Sequence, residues 1–405
     1  MSTAGRGHAG GLSLDLLNLF VANIQTGFGP FIAVYLTTQG WTQTSIGIAL
    51  SVGTVAGMAS QIPAGALVDA VRRKSSIAGL CLLAFSVCAL MFAIQPGVLS
   101  VYIAEVLHGF ASCALGPCIA AMSLAFAGPA GMALRVGRNT RYGAIGNAMG
   151  AALMGACGYY LSSRAVFFLA AALSFPAIGL VWPLRPLDSR PVPPPPRDPG
   201  HLTRGDLLTV LLDARLLVFA ACAALFTLSN AAMLPLASGT ITETMPADAN
   251  LLIAAFIILP QLVVAGISPW VGRYAQAEGR RHVMIWALAA LTVRGVLFAT
   301  LPNPALLIPV QALDGISGAC LGILMPLVVA DLAGQSGHYN LALGVVGFAV
   351  GIGATLSTTL GGIVADRAGE PLAILGLSII GLAGTVFAIV FLPETRPDPE
   401  GRIGA

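Results

Sequence analysis

Glu105-Val-Leu-His108-Gly109-Phe-Ala-Ser-Cys-Ala-Leu115-Gly116 recurs, without a gap, as Gln311-Ala-Leu-Asp314-Gly315-Ile-Ser-Gly-Ala-Cys-Leu321-Gly322. Working outward, Asn139, Gly143, Gly146, Ala148 and Gly150 find counterparts in Asn340, Gly344, Gly347, Ala349 and Gly351. Pro63 before Gly65 answers Pro269 before Gly272. All three segments keep nearly the same offset, so they describe one duplication of a long unit. Both copies of the opening stretch lie in apolar sequence, which makes Glu105, His108 and Asp314 conspicuous.

The surrounding composition says what kind of unit this is. Of 405 residues, 57% are hydrophobic and only 9% charged, against about 25% charged in soluble domains. No water-soluble fold hides that much apolar surface, so lipid is the solvent. A helix crosses the hydrocarbon core in about 20 residues, and an open backbone has no partner there, so helices are the expected form. Turn signals and charges divide the chain into twelve such segments: 12–37, 44–69, 75–95, 98–127, 141–161, 165–184, 209–239, 249–274, 282–301, 304–332, 339–365 and 371–392. The Pro-rich run Arg185-Pro-Leu-Asp-Ser-Arg-Pro-Val-Pro-Pro-Pro-Pro-Arg-Asp-Pro-Gly200 cannot continue a helix and favours an extended linker. The expected organisation is a bundle of six helices over 1–184, a linker over 185–208 and a second bundle over 209–405.

Basic residues fix the orientation. With the N-terminus inside, cytoplasmic segments receive Arg72, Arg73 and Lys74, then Arg135, Arg138 and Arg141, the linker arginines, Arg273, Arg280 and Arg281, and the C-terminal pair Arg396 and Arg402. The outer segments keep only Arg164 and Arg367, while Arg294 falls inside a span. Both termini are therefore expected in the cytoplasm, as in a multi-pass plasma (bacterial inner) membrane protein. The opening residues, with Asp15, Asn18 and Asn23 close behind, are too long and polar for a cleaved signal. Seven cysteines all lie in apolar stretches with no CxxC pair and read as core residues. Net charge is only +3, which argues against a nucleic-acid partner. No metal cluster, Walker loop, nucleophile triad or dinucleotide fingerprint appears, so neither a cofactor nor an enzymatic activity is expected.

The loop after the second span, Gly65-Ala-Leu-Val-Asp69-Ala-Val-Arg72-Arg73-Lys74, resembles the signature G-x3-D-[RK]-x-G-R-[RK] of the major facilitator superfamily; Ala70 and Arg72 depart from it. Its second copy, Gly272 to Gly279-Arg280-Arg281, keeps glycines and arginines but carries Gln276 where the aspartate belongs. The resemblance covers essentially the whole chain. It implies an all-α membrane protein of twelve helices, two six-helix bundles related by a pseudo-two-fold axis along the membrane normal. It also implies a cytoplasmic gate at Gly65, Asp69, Arg73, Lys74, Gly272, Arg280 and Arg281; the alternative is that the cations only set topology. The drug-antiporter Gly-Pro motif is absent from the fifth span. Pro393-Glu394-Thr395-Arg396 resembles the sugar-porter ending, yet Pro183-Leu-Arg185-Pro186 does not supply its partner after the sixth span.

Ionisable groups at membrane depth cost several kcal/mol unless paired or wetted, so each is a candidate. Glu105 and His108 lie three residues apart, on one helical face. A carboxylate beside an imidazole suits proton exchange; the alternative is a satisfied polar pair. Asp314 and Arg294 lie at comparable distances from the Pro302–Pro304 hairpin and can meet. They form either a structural ion pair or a site for a substrate anion or coupling proton. Asn23, Gln25, Asn147, Asn230 and Gln261 are candidate substrate contacts in the spans that the resemblance places around a central cavity. The expected activity is secondary transport of a small organic solute by a monomer, driven by protons through alternating access, with export slightly favoured over uptake. The alternatives are an uncoupled facilitator or a non-transporting nutrient sensor on the same scaffold.

Overall fold

The computed structural model describes residues 3–71, 73–94, 96–189, 212–301, 303–333 and 339–396, and contains no β-strand among them. The Pro-rich linker around Pro193–Pro196 lies outside these residues. The helices are α1 (Thr3–Thr26), α2 (Pro30–Thr38), α3 (Gln43–Ala70), α4 (Lys74–Ile94), α5 (Val98–Tyr160) and α6 (Ser163–Val181), followed by a 3₁₀ segment over Trp182–Ser189. After the linker come α7 (Ala214–Asn230), α8 (Met233–Thr244), α9 (Ala249–Glu278), α10 (Arg280–Thr300), α11 (Pro304–Val310), α12 (Ala312–Ala333), α13 (Tyr339–Ala368) and α14 (Glu370–Phe391).

These helices fall on the twelve expected segments. Ten described stretches are long and apolar enough to cross a membrane; α3 and the second half of α5 occupy the other two. Spans four and five share α5, which turns at Gly128 (φ 68°) without a connecting loop. Only glycine takes that left-handed conformation cheaply. Three spans are each made of two helices. The first breaks at Gly27–Gly29, where Gly29 has φ 92° and Pro30 opens α2 with its missing N–H at a position that needs none. The seventh breaks at Ala231–Ala232, where Ser357 accepts the freed Ala232 N–H at 3.0 Å. The tenth breaks at Gln311.

The residues group into two compact units, Met1–Trp41, Ala49–Pro193 and Ile241–Ile258 in one, and Thr42–Ile48, Pro194–Thr240 and Leu259–Ala405 in the other. In the first unit α1 packs along α5. Small residues permit the approach: a Cβ on Gly146 would lie 2.2 Å from the Leu19 carbonyl oxygen, and one on Gly150 2.8 Å from that of Asn23. In lipid this close packing replaces the hydrophobic drive that holds soluble helices together. Phe28, Phe85, Phe92 and Phe167 build an aromatic core beside it. The first unit also takes in the start of α9, where Asn250 donates to Ser163 Oγ at 2.9 Å.

The second unit repeats the scheme with α7 along α13, where a Cβ on Gly353 would lie 2.3 Å from the Ala224 carbonyl oxygen. Phe219, Phe226, Met284, Leu288 and Leu324 fill its core. This unit takes in the first turn of α3. Asp366 accepts the Gln43 and Thr44 backbone N–H groups at 2.9 and 2.7 Å, a carboxylate on a helix N-terminus where the dipole favours it.

Candidate functional site

In the first unit α5 sets Glu105 and His108 one turn apart. Glu105 is 4% exposed, and its Oε1 has no hydrogen-bond partner. Across from it α3 presents Gly53, where a Cβ would lie 2.1 Å from Glu105 Oε2. One turn on, a Cβ on Gly109 would lie 2.4 Å from the Gly53 carbonyl oxygen. Two backbones therefore meet, and the carboxyl group occupies the room of a missing side chain. His108 does not turn to Glu105. Its ring stacks on Phe28 at 4.2 Å and 14°, sits 5.4 Å from Phe85, and lies 3.4 Å from Ser112 Oγ. The break after α1 is what delivers Phe28 to that ring.

The neutral candidates divide. Asn23 is buried with an unpartnered Oδ1. Asn147 accepts from Thr26 Oγ1 at 3.3 Å, a contact along the α1–α5 seam. Gln25 and Gln261 are half-buried; Gln261 stands on the stretch of α9 where a Cβ on Gly315 would meet the Pro260 carbonyl oxygen at 2.8 Å.

In the second unit Arg294 and Asp314 do meet. Arg294 Nη1 donates to Asp314 Oδ1 at 2.8 Å and also to Asn230 Oδ1. Arg294 is 1% exposed, whereas the Asp314 side chain keeps 24%. Arg294 Nε and both polar atoms of the Gln311 side chain are buried without partners. Asn230, which bonds the guanidinium, ends α7, and Gln311, three residues before Asp314, joins α11 to α12.

The gate candidates lie at the ends that carry the basic loops. The surroundings of Gly65 and the side chain of Asp69 lie outside the described residues. Arg73 is exposed, and the Lys74 ammonium donates to the Val68 carbonyl. Gly272 has open space around it. Arg280 donates to Asp331 at 2.9 Å and to the Ala275 carbonyl at 2.8 Å, and the Arg281 guanidinium reaches the Ile389 carbonyl. Glu394 accepts the backbone N–H groups of Arg280, Arg281 and Arg396 at 2.7, 3.2 and 2.9 Å, capping α10. A Cβ at Gly279 (φ 111°) would lie 2.2 Å from Glu394 Oε2, so the glycine makes room for the cap. Burial would push the Glu394 carboxyl up, but the backbone N–H groups of Arg280, Arg396 and Arg281 outweigh it and hold it below the usual range.

Two features were not read from the sequence. Asp188 accepts from the Ser75 N–H at 3.1 Å and from its hydroxyl, capping α4 as Glu394 caps α10. Leu187-Asp188-Ser189-Arg190 stands at the repeat offset from Pro393-Glu394-Thr395-Arg396, so the sixth span does have a counterpart of that ending, five residues beyond Pro183. The offset was the signal that finds it. Asp15, fully buried, pairs with both Arg135 and Arg138; Arg135 also donates to Asn139 Oδ1 at 2.8 Å and Asn139 to Ser123 Oγ at 2.8 Å. In the sequence those arginines speak only for topology; the structure adds a buried partner to each.

Duplicated helical units, crossing lengths of apolar helix and ionisable side chains buried among them define a polytopic membrane transport protein. The chain belongs to the major facilitator superfamily: the model for that family matches residues 14–276 and 216–405. An uncharacterized MFS-type transporter of Mycobacterium tuberculosis is 33% identical over 394 residues, 95% of this chain and 93% of the relative. A multidrug resistance protein B homolog of the same organism is 30% identical over 138 residues, 34% of this chain and 25% of that protein. Among solved structures, the bacterial homolog of the human lysosomal transporter Spinster superposes with a TM-score of 0.78 at 14% identity, covering 98% of this chain and 100% of that one. The protein is thus a membrane transporter of the facilitator fold.

Proposed function

We propose that the protein moves a small organic solute against its gradient at the expense of protons, that Glu105 carries the coupling proton, and that the units alternate in opening the site to either side. One observation carries the reading. Glu105 and its repeat counterpart Gln311 are both buried with unpartnered side-chain atoms. The duplicated position thus accommodates a neutral side chain of the same shape in one unit and a titratable one in the other. A carboxyl group so placed is at home when protonated, and an uncompensated charge there costs several kcal/mol. His108, ringed by Phe28 and Phe85, acts on Glu105 through helix position and not through a hydrogen bond. Export is the favoured direction, in keeping with the local match to a multidrug resistance protein homolog. The expected setting is a plasma (bacterial inner) membrane with both termini inside.

The test uses purified full-length protein in liposomes loaded with a pH-sensitive dye, challenged with a panel of small organic solutes. Wild type should couple movement of at least one solute to proton flux. Glu105→Gln should lose gradient-driven accumulation of that solute yet keep its exchange, and His108→Gln should shift the pH midpoint without abolishing coupling. A Glu105→Gln protein that still concentrates the solute with unchanged pH dependence makes Glu105 structural. Wild-type protein that equilibrates the solute and never concentrates it is an uncoupled facilitator.

A further inference from the structure

The cluster around Arg294 is built unlike a structural ion pair. A guanidinium and a carboxylate that exist only to neutralise each other favour a bidentate fork, two parallel N–H donors on two oxygens. Here a single nitrogen, Nη1, serves both Asp314 Oδ1 and Asn230 Oδ1, and Nε points at no acceptor although it is buried. Gln311, one turn before Asp314, is fully buried with neither its oxygen nor its nitrogen bonded. Leaving such groups without partners carries the full desolvation penalty of each. The place is also where the backbone gives way: α7 ends at Asn230, and α11 passes to α12 at Gln311. Interrupted membrane helices are tolerated where they border a wetted or ligand-filled space, and paired interruptions mark the substrate sites of transporters. The corresponding place in the first unit has no arginine, since Cys88 and Ala89 stand at the repeat offsets of Arg294.

We infer that Arg294 is the anchor for a carboxylate group of the transported solute, with the Asn230 amide beside it completing the site. Asp314 is the resident occupant that the solute displaces. The donors left over are what an oxyanion needs, and the charged oxygen that bonds the guanidinium among the described residues, Asp314 Oδ1, does so through one atom while its side chain keeps 24% exposure, a place from which it can be exchanged for an incoming carboxylate. Phe298, with the guanidinium carbon 5.1 Å from its ring centroid, gives the cation an aromatic neighbour as well. This inference names the solute class within the transporter reading and does not involve Glu105.

It is tested on binding alone, with detergent-purified full-length protein and no proton gradient, so that its failure and a failure of proton coupling stay distinguishable. Thermal shift is followed on titration with formate, acetate, butyrate, benzoate and succinate, with the amide of each and with inorganic phosphate. At least one carboxylate should stabilise wild type saturably, its amide at least about tenfold more weakly, and Arg294→Gln should abolish the effect. Asp314→Asn should tighten carboxylate binding, because it removes the competitor; a merely structural pair gives no such gain. Formate or acetate should restore the melting temperature lost in Asp314→Ala, and should fail to do so when Arg294→Gln is added. Phosphate binding with Arg294 dependence and no carboxylate response would reassign the site to phosphorylated solutes. Stabilisation by amides equal to that by acids, or no anion-specific response in wild type, Asp314→Asn and Asp314→Ala, overturns the inference.

Discussion

The carboxyl group of Glu105 exists where it does because residue 53 has no side chain. Gly53→Ala would put a Cβ 2.1 Å from Glu105 Oε2, with its three nearest neighbours all atoms of Glu105. Overpacking of that kind costs about 1–3 kcal/mol, and here the strain falls on one side chain. The variant should melt lower and lose proton flux, and adding Glu105→Ala should recover the stability but not the flux. A double-mutant cycle in thermal unfolding checks this; equal destabilisation by Gly53→Ala with and without Glu105 would show the strain lies elsewhere. At this scale the sequence was partly legible. That Arg294 and Asp314 can meet is legible from their comparable distances to a proline hairpin, since helical rise converts sequence distance into depth. The partner of His108 was not, because Phe28 reaches it through a helix break whose direction no periodicity encodes.

Two carboxylates, Asp188 and Glu394, each close the span that begins beside a basic loop, and each comes from the segment just after a unit's last span. A lost N-cap costs about 1 kcal/mol, so Asp188→Ala and Glu394→Ala should each lower stability, the latter more because Glu394 serves three backbone N–H groups. The pH dependence follows in sign. Glu394 is held below the usual carboxylate range, so its contribution is complete above the unfolded value of about 4.3 and disappears as pH falls through the lower folded value. The stability gap between wild type and Glu394→Gln should therefore be widest near neutral pH and narrow on acidification into that range; a gap that widens in acid would remove the cap from the account. The helices themselves were legible from hydropathy and turn residues, down to the run of Gly146 and Gly150. The Asp188 cap was equally present in the sequence, yet it lay five residues past the place where a proline pattern drew attention, and only the repeat offset locates it.

For the molecule as a whole, charge decides which way it faces. The basic residues gather at alternate ends of the spans, so a reporter active only in the cytoplasm should be active when fused near Pro193–Pro196 and silent when fused between Gln39 and Thr42. The reverse pattern would invert the topology and move Arg280, Glu394 and Asp188 to the outer face. What the duplication did not disclose is how unevenly the copies are furnished: one holds a buried acid in the room left by Gly53, the other an arginine with a buried donor that meets no acceptor. Point substitutions obscured this, since Glu for Gln and His for Asp look like drift when read one column at a time. The joint at Gly128 sets a constraint of another kind. With spans four and five meeting at one residue, the chain there has no slack, and an inserted residue just after it would rotate everything downstream by about 100°. Gly146 and Gly150 would turn from the Leu19 and Asn23 carbonyls, and larger side chains would swing into the seam they keep open. The hairpin is therefore a setting of angular phase, intolerant of a single added alanine that an ordinary loop would absorb.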